Sequence, residues 1–283
     1  MKLFHTADAM RAWSEEQRAA GKTIGFTPTM GALHAGHESL MLAAAGQNDV
    51  SVLSIYVNPT QFAPHEDFNE YPRTLDADSA IAAMAGVHAI YAPADPMMYP
   101  EGYATFIDVE RITQRMCGGS RPHFFRGVAT VVAKLFNTVR PHRAYFGQKD
   151  AQQAAVIRRM VRDLDMGIEI VEMPIVREPD GLAMSSRNRY LNPAERQRAL
   201  CLSRALNLAR KMLEAGERNP QPILDTVRQT MHDVDIDYVE LVDANEIVPL
   251  DRMRGTVLLA VAARVGETRL IDNIKFTVPE DED

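Results

Sequence analysis

The chain predicts a doubly wound, Rossmann-like α/β domain with a parallel sheet, followed by a smaller α+β domain, on three observations. Strand-like and helix-like runs alternate from residue 23 to residue 171, which is the rhythm of βαβ units in a parallel sheet. That rhythm changes after Pro174, so the predicted domains are 1–175 and 176–283. The unusual polar residues follow the strand-like runs, at the edge where open parallel sheets bind ligands.

The elements follow in order. Residues 5–20 read as a helix with Met10, Trp13 and Gln17 along one side and Gly21 as its stop. Thr23 to Thr27 reads as a strand ended by Pro28, and Leu40, Met41 and Ala44 give helical spacing from Gly36 to Gly46. The run from 50 to 57, bounded by Asn58-Pro59, is rich in β-branched residues and reads as a second strand. A helix over 73–85, a third strand at 88–91, a buried helix over 127–139 and a strand at 143–146 come next. Asp150 then caps a helix reaching Asp163, and 168–171 alternates as a strand. In the second domain, Asn192 and Pro193 open a helix that continues to about Ala215. A helix near 221–232 and strands at 237–243, 255–264 and 268–271 complete it. The acidic tail from Pro279 to Asp283 is expected to be solvated and disordered.

Composition narrows the function class. At 283 residues, with 46% apolar and 24% charged residues, the chain is an ordinary globular sequence long enough for two domains. A net charge of −7 argues against a broad nucleic-acid surface, which needs basic groups to displace counterions. Cys117 and Cys201 are too few for a disulfide framework or a cysteine-only zinc site and suit a reducing compartment. The longest apolar run, Val257 to Ala263, falls short of the roughly 20 residues of a membrane span, and the first residues lack a signal-peptide run. The expectation is a cytoplasmic protein without nucleic-acid or membrane partners.

The stretch Pro28-Thr29-Met30-Gly31-Ala32-Leu33-His34-Ala35-Gly36-His37 carries the chemistry most clearly. It places two histidines where a helix begins, and the first free N–H groups of a helix favour an anion. Gly31 and Gly36 remove side chains where a phosphate must approach. Zinc could use the same histidines, but no third ligand is evident. Asn58 and Gln61 follow the second strand; Gly147-Gln148-Lys149-Asp150, with Gln153 one turn on, follow the strand ending at Phe146. Beyond the domain boundary, Met184-Ser185-Ser186-Arg187-Asn188 offers hydroxyls and an arginine fork suited to a triphosphate. Each piece also has an ordinary reading: Lys149 as a solvated charge, Asp150 as a helix cap, the Ser-Ser-Arg run as a surface turn.

These residues carry a resemblance. His34-Ala35-Gly36-His37 is similar to the HxGH signature of the nucleotidyltransferase superfamily. The wider set resembles the pantothenate synthetase family, pantoate–β-alanine ligases. It comprises the 28–37 stretch, Tyr56-Val57-Asn58-Pro59-Thr60-Gln61-Phe62, Tyr71-Pro72-Arg73-Thr74, Phe146-Gly147-Gln148-Lys149-Asp150 with Gln152-Gln153, and Met184 to Asn188. The stretches occur in family order, over about residues 1–275.

The resemblance implies an ATP-dependent ligation through pantoyl adenylate. His34, His37 and Lys149 would be catalytic. Met30, His34, His37, Gly147, Lys149, Asp150, Val176, Met184, Ser185, Ser186 and Arg187 would bind ATP. Gln61, Gln153 and Met30 would bind pantoate, and Asn58 β-alanine. Mg2+ would accompany ATP mainly through phosphate oxygens, since Asp76 and Asp78 read better as helix-surface residues than as ligands. A homodimer and a C-terminal domain acting as a lid are also implied. Two departures stand out: Arg121-Pro122-His123-Phe124-Phe125 replaces the usual Arg-Pro-Gly-His-Phe, and Gln148 stands where glutamate is common. If the loop at 123 is extended, a one-residue step reverses side-chain direction. Another HxGH-family nucleotidyltransferase and a catalytically silent nucleotide sensor are the alternative readings.

Overall fold

Six short runs form one parallel sheet, and its central strands are buried along most of their length, as strands covered on both faces are. The six runs are β1 (Lys2–Phe4), β2 (Ile24–Thr29), β3 (Val50–Ile55), β4 (Ala89–Tyr91), β5 (Arg143–Gly147) and β6 (Glu169–Met173). The computed structural model describes residues 1–63 and 68–279. The strand order is β1-β4-β3-β2-β5-β6, and every pair is parallel. The direction of winding reverses between β2 and β5, so the carboxyl ends of these two strands flank the switch point of the sheet.

The helices are α1 (Ala7–Ala19), α2 (Ala35–Gly46), α3 (Leu75–Met84), α4 (Asp95–Met98), α5 (Cys117–Ser120), α6 (Phe124–Val139), α7 (Ala151–Asp163), α8 (Pro193–Glu214) and α9 (Pro220–Thr230). Alternate residues of a strand face opposite layers. Met41 of α2, Ala82 of α3, Leu53 and Ile90 form one buried cluster, while Phe26 meets Phe136 of α6 edge-on with ring centroids 6.2 Å apart. Fully burying a side chain such as Phe26 or Leu53 contributes about 1.5–3 kcal/mol.

The chain divides into two compact units. One comprises Met1–Glu110, Arg121–Gly147 and Val156–Pro174; the other comprises Arg111–Ser120, Gln148–Ala155 and Ile175–Asp283. The second has an antiparallel sheet of β7 (Asp235–Asp243), β8 (Thr256–Val265) and β9 (Thr268–Thr277), in that order. α8 and α9 share a buried core with this sheet, including Leu202, Leu206, Ile223, Val227, Leu259 and Val261. Asn192 and Glu195 form a reciprocal capping box at the start of α8, which satisfies two otherwise orphaned N–H groups.

The architecture is the predicted class, with local differences. β1 lies inside a segment too short to read as a strand, and α4 and α5 are single turns. β3 ends at Ile55 rather than 57, and Asp150 lies in a 3-10 turn, Gln148–Asp150, that leads into α7. β9 continues to Thr277, beyond the apolar run that ends at 271. The expectation of a disordered acidic tail falls, from residue 280, outside the described residues. Among the described residues no helix is long and apolar enough to cross a membrane. Both cysteines are free and buried.

Candidate active site

Met30 follows β2 and Tyr56 follows β3. Since Thr29 pairs with Ile55, the loops bearing the histidines and Asn58 leave neighbouring strands at the same edge. Gly147 ends β5, which pairs with β2 on its other side. Between Met30 and α2 the chain turns through two left-handed residues, Gly31 (φ 84°) and Ala32 (φ 51°). A Cβ on Gly31 would lie 3.0 Å from Asp78 Oδ2 and 3.1 Å from an Ile55 methyl, so glycine is required there for space as well as conformation.

Asp78 holds that turn. Its carboxylate accepts the backbone N–H groups of Ala32 (3.1 Å) and Leu33 (2.9 Å) and the hydroxyl of Thr74 (3.1 Å). It is 1% exposed, which corrects the helix-surface reading: its position on α3 faces the loop, where its oxygens pair with N–H groups that would otherwise be buried unsatisfied. Asp76 is exposed. No cluster of three or more His, Cys, Asp or Glu able to hold a metal occurs among the described residues.

His34 is the N-cap of α2. Its Nδ1 accepts the Gly36 N–H at 3.2 Å, and a backbone N–H can only donate. A neutral His34 ring therefore carries its proton on Nε2 and is a donor there. The His34 and His37 rings stack, with centroids 4.0 Å apart and planes 27° apart. The motif is thus a capped helix start with an imidazole N–H donor beside it, a combination suited to an anion.

Asn58 is fully buried and caps the 3-10 turn Pro59–Gln61. Its Oδ1 accepts the Thr60 hydroxyl (3.0 Å) and the Tyr99 hydroxyl (2.9 Å), with the Thr60 N–H at 3.4 Å. Its Nδ2 donates to Gln61 Oε1 (2.9 Å) and to the Gly127 carbonyl (3.2 Å). The Arg121 guanidinium donates to the Gln61 carbonyl (3.0 Å) and lies 3.8 Å from the centroid of the Phe124 ring. Gly127 lets α6 approach this turn: a Cβ there would sit 2.4 Å from the Thr60 carbonyl oxygen. His123 is not in an extended loop. It is the N-cap residue of α6 at φ 70°, in the left-handed region, without a side-chain cap bond. The departure from the family motif therefore puts histidine where glycine is conformationally the easier residue.

The second unit contains the remaining candidates. Lys149 and Asp150 lie in the 3-10 turn after β5, with Lys149 Nζ 3.6 Å from Asp150 Oδ2. Asn273 on β9 secures this turn by donating to the carbonyls of Gln148 (2.9 Å) and Lys149 (3.0 Å), while Gln148 Nε2 donates to Asn273 Oδ1 (3.1 Å). An amide at position 148 thus has a donor's work that glutamate could not do. Gln152 is buried, donating to the carbonyls of Ile112 and Arg115 (2.9 Å each) and accepting the Cys117 N–H (3.1 Å). Gln153, next along α7, is half-buried.

Val176 and Met184 are brought together by a 2.9 Å backbone hydrogen bond. Ser185 caps a 3-10 turn over Ser186–Tyr190 by accepting the Arg187 N–H at 3.3 Å. Buried Asn188 anchors that turn to Glu178 and to the Ala183 carbonyl. Ser185, Ser186 and Arg187 are each half-buried. Nearby, Arg177 forms a two-pronged pair with the 2%-exposed Asp272 (2.7 and 3.0 Å).

Sequence reasoning passed over Asp78 as a loop holder, Tyr99 and Gly127 as partners of Asn58, and Asn273. Asp78 had one usable signal, an aspartate one helical turn after Thr74. The others act across long sequence separations that no local pattern announces.

A family model described as pantoate–β-alanine ligase matches residues 2–275. The chain is 54% identical over 281 residues to the pantothenate synthetase of Moorella thermoacetica, covering 98% of this chain and 99% of that one. It is 55% identical over 281 residues to that of Heliobacterium modesticaldum, covering 98% and 100%. Among solved structures, the pantothenate synthetase of Thermus thermophilus superposes with a TM-score of 0.91 at 43% identity, covering 97% and 99%. The pantoate–β-alanine ligase of Francisella tularensis, complexed with beta-gamma ATP and β-alanine, gives 0.77 at 31% identity, covering 97% of each chain.

Proposed function

The chain belongs to the pantoate–β-alanine ligase family, and we propose that it joins pantoate to β-alanine at the expense of ATP, with the roles that follow. The observation that carries the reading is the His34-capped start of α2 after the Asp78-held turn, at the carboxyl end of a central strand.

In the first step a pantoate carboxylate oxygen attacks the α-phosphorus of ATP, forming a C–O–P linkage and expelling pyrophosphate. A carboxylate with a pKa of about 4 is already ionised at neutral pH, so this step needs alignment and charge stabilisation rather than a base. His34 and His37 supply donors to the phosphates. Lys149 follows the charge on the α-phosphate and the departing pyrophosphate. Ser185, Ser186 and Arg187 hold the triphosphate, while Met30, Gly147, Asp150, Val176 and Met184 line the nucleotide. Gln61 and Gln153 bind pantoate. Mg2+ would enter with the triphosphate and be held mainly through phosphate oxygens and water.

In the second step the neutral amine of β-alanine attacks the acyl carbon, forming the amide and releasing AMP. The acyl adenylate must be kept from water, and the C-terminal domain, 176–283, serves as the lid. The enzyme works in the cytoplasm as a homodimer. Pantoate-dependent exchange of labelled pyrophosphate into ATP, followed by pantothenate formation on adding β-alanine, tests the reading. A folded protein that binds ATP without exchange would be a nucleotide sensor and would overturn it.

A further inference from the structure

Asn58 has no hydrogen-bonding capacity left for a substrate. An amide offers two N–H groups and one carbonyl oxygen with two lone pairs. Both N–H groups are engaged, by the Gly127 carbonyl and Gln61 Oε1, and the oxygen takes the hydroxyls of Thr60 and Tyr99 beside the Thr60 N–H. The side chain is also fully buried.

Its orientation is determined by chemistry. The Gly127 carbonyl can only accept and the Thr60 N–H can only donate, so the amide cannot be turned over without breaking both contacts. Nδ2 must then face Gln61, and Gln61 must answer with Oε1, since two NH2 groups cannot pair. Burial raises the Tyr99 hydroxyl above its ordinary pKa, which keeps it a donor. Arg121 fixes the Gln61 backbone from the other side through its carbonyl.

We propose that Asn58 is a positioning residue for pantoate: it turns the Gln61 amide so that only the Nε2 donor end is presented to substrate oxygens. This rests on the assignment of Gln61 to the pantoate site above. A donor-only glutamine reads an acceptor-rich ligand, a carboxylate or the lone pairs of a hydroxyl. It selects the anion of a hydroxy acid over an amide or amine analogue. Asn58 then acts on the acid rather than on β-alanine.

The experiment separates the two substrates. In Asn58→Asp the group facing Gln61 becomes an acceptor, which turns the glutamine over and offers its oxygen to the ligand. The expected result is a rise of about ten- to hundredfold in the KM for pantoate in pyrophosphate exchange, with the KM for β-alanine in the full reaction changed less than twofold. Gln61→Glu, which keeps an acceptor for Asn58 and replaces the outward donor, should give the same split even if Asn58→Asp does not fold. Tyr99→Phe should give the same split in weaker form, since two donors remain on Oδ1. A raised KM for β-alanine with pantoate-dependent exchange unchanged would put Asn58 in the amine site and overturn the proposal, as would unchanged constants in Gln61→Glu. Absence of exchange in the parent protein would instead overturn the functional reading itself.

Discussion

The carboxylate of Asp78 accepts the backbone N–H of Leu33 at 2.9 Å across 45 residues of sequence. Oδ2 of the same group takes the neighbouring N–H of Ala32, so one buried anion holds both amides just before the His34 cap. In Asp78→Asn one of these N–H groups would face an amide nitrogen. Loss of a charge-assisted bond at a buried donor is expected to lower stability by about 1–3 kcal/mol, read from denaturant midpoints, and to slow exchange at least tenfold. Unchanged stability would show that the turn holds its shape without Asp78.

Gly127→Ala places a methyl 2.4 Å from the Thr60 carbonyl oxygen. The methyl is fixed rigidly to the α6 backbone and its partner is a backbone carbonyl, so neither can swing aside and the strain falls on the turn bearing Asn58 and Gln61. Overpacking of about 1–3 kcal/mol is expected, together with a higher KM for pantoate. A crystal structure showing α6 unmoved, with activity intact, would contradict this.

His37→Ala and Lys149→Ala each remove a donor assigned to phosphate. Losing one such donor is expected to cost roughly 10²–10³ in rate at saturating ATP, while circular dichroism stays as in the parent. Exchange close to the parent rate in either variant would remove that residue from the catalytic set.

His142 gives the stability curve an acid limb. Burial, then the positive charges of Arg18 and Arg143, lower its pKa from the ordinary 6.5, and its Nδ1 accepts the Ile24 N–H at 2.9 Å. The neutral ring is therefore the one the fold favours. Its contribution is fully present above pH 6.5 and is lost as pH falls through the lower folded-state value, because the unfolded chain takes up the proton first. His142→Gln should flatten the fall in unfolding midpoint as pH drops from 6.5 towards that lower value; an unaltered pH profile would exclude His142 as its source.

His123→Gly tests the departure at the start of α6. At φ 70° a histidine bears a penalty of roughly 1–2 kcal/mol, offset in part by the greater entropy of glycine in the unfolded chain. Equal or slightly greater stability is expected from chemical denaturation. A clear loss would mean that the imidazole makes compensating contacts.

The sheet was legible because β-branched and apolar runs such as Val50–Ile55 are bounded by strong stops, Asp49 before and Asn58-Pro59 after. The helix start at His34 was legible from its glycines and its place after a strand. What escaped was set by partners far away in the chain. Lys2–Phe4 is a strand only because β4 pairs with it. Asp272 and Asn273 break the apolar run of β9, yet continue it because Arg177 and the turn at 148–150 satisfy them. Asn58 was legible as an interesting residue, but whether its amide meets a ligand or a neighbour depends on Tyr99 and Gly127, 41 and 69 residues away.

The adjacency of β2 and β5 also governs the birth of the protein on the ribosome. Gly25 of β2 pairs with Arg143 of β5, so every residue between them must be synthesised before that ladder can close. Until then β2 is an edge strand, with Ile24 and Phe26, both fully buried in the finished fold, beside unpaired backbone groups. Such an edge is a template for pairing with other chains, and long-range parallel pairing is intrinsically slow. A nascent chain that stalls before residue 143 is therefore expected to be the species that needs chaperone cover, while release of α6 and β5 ends that exposure.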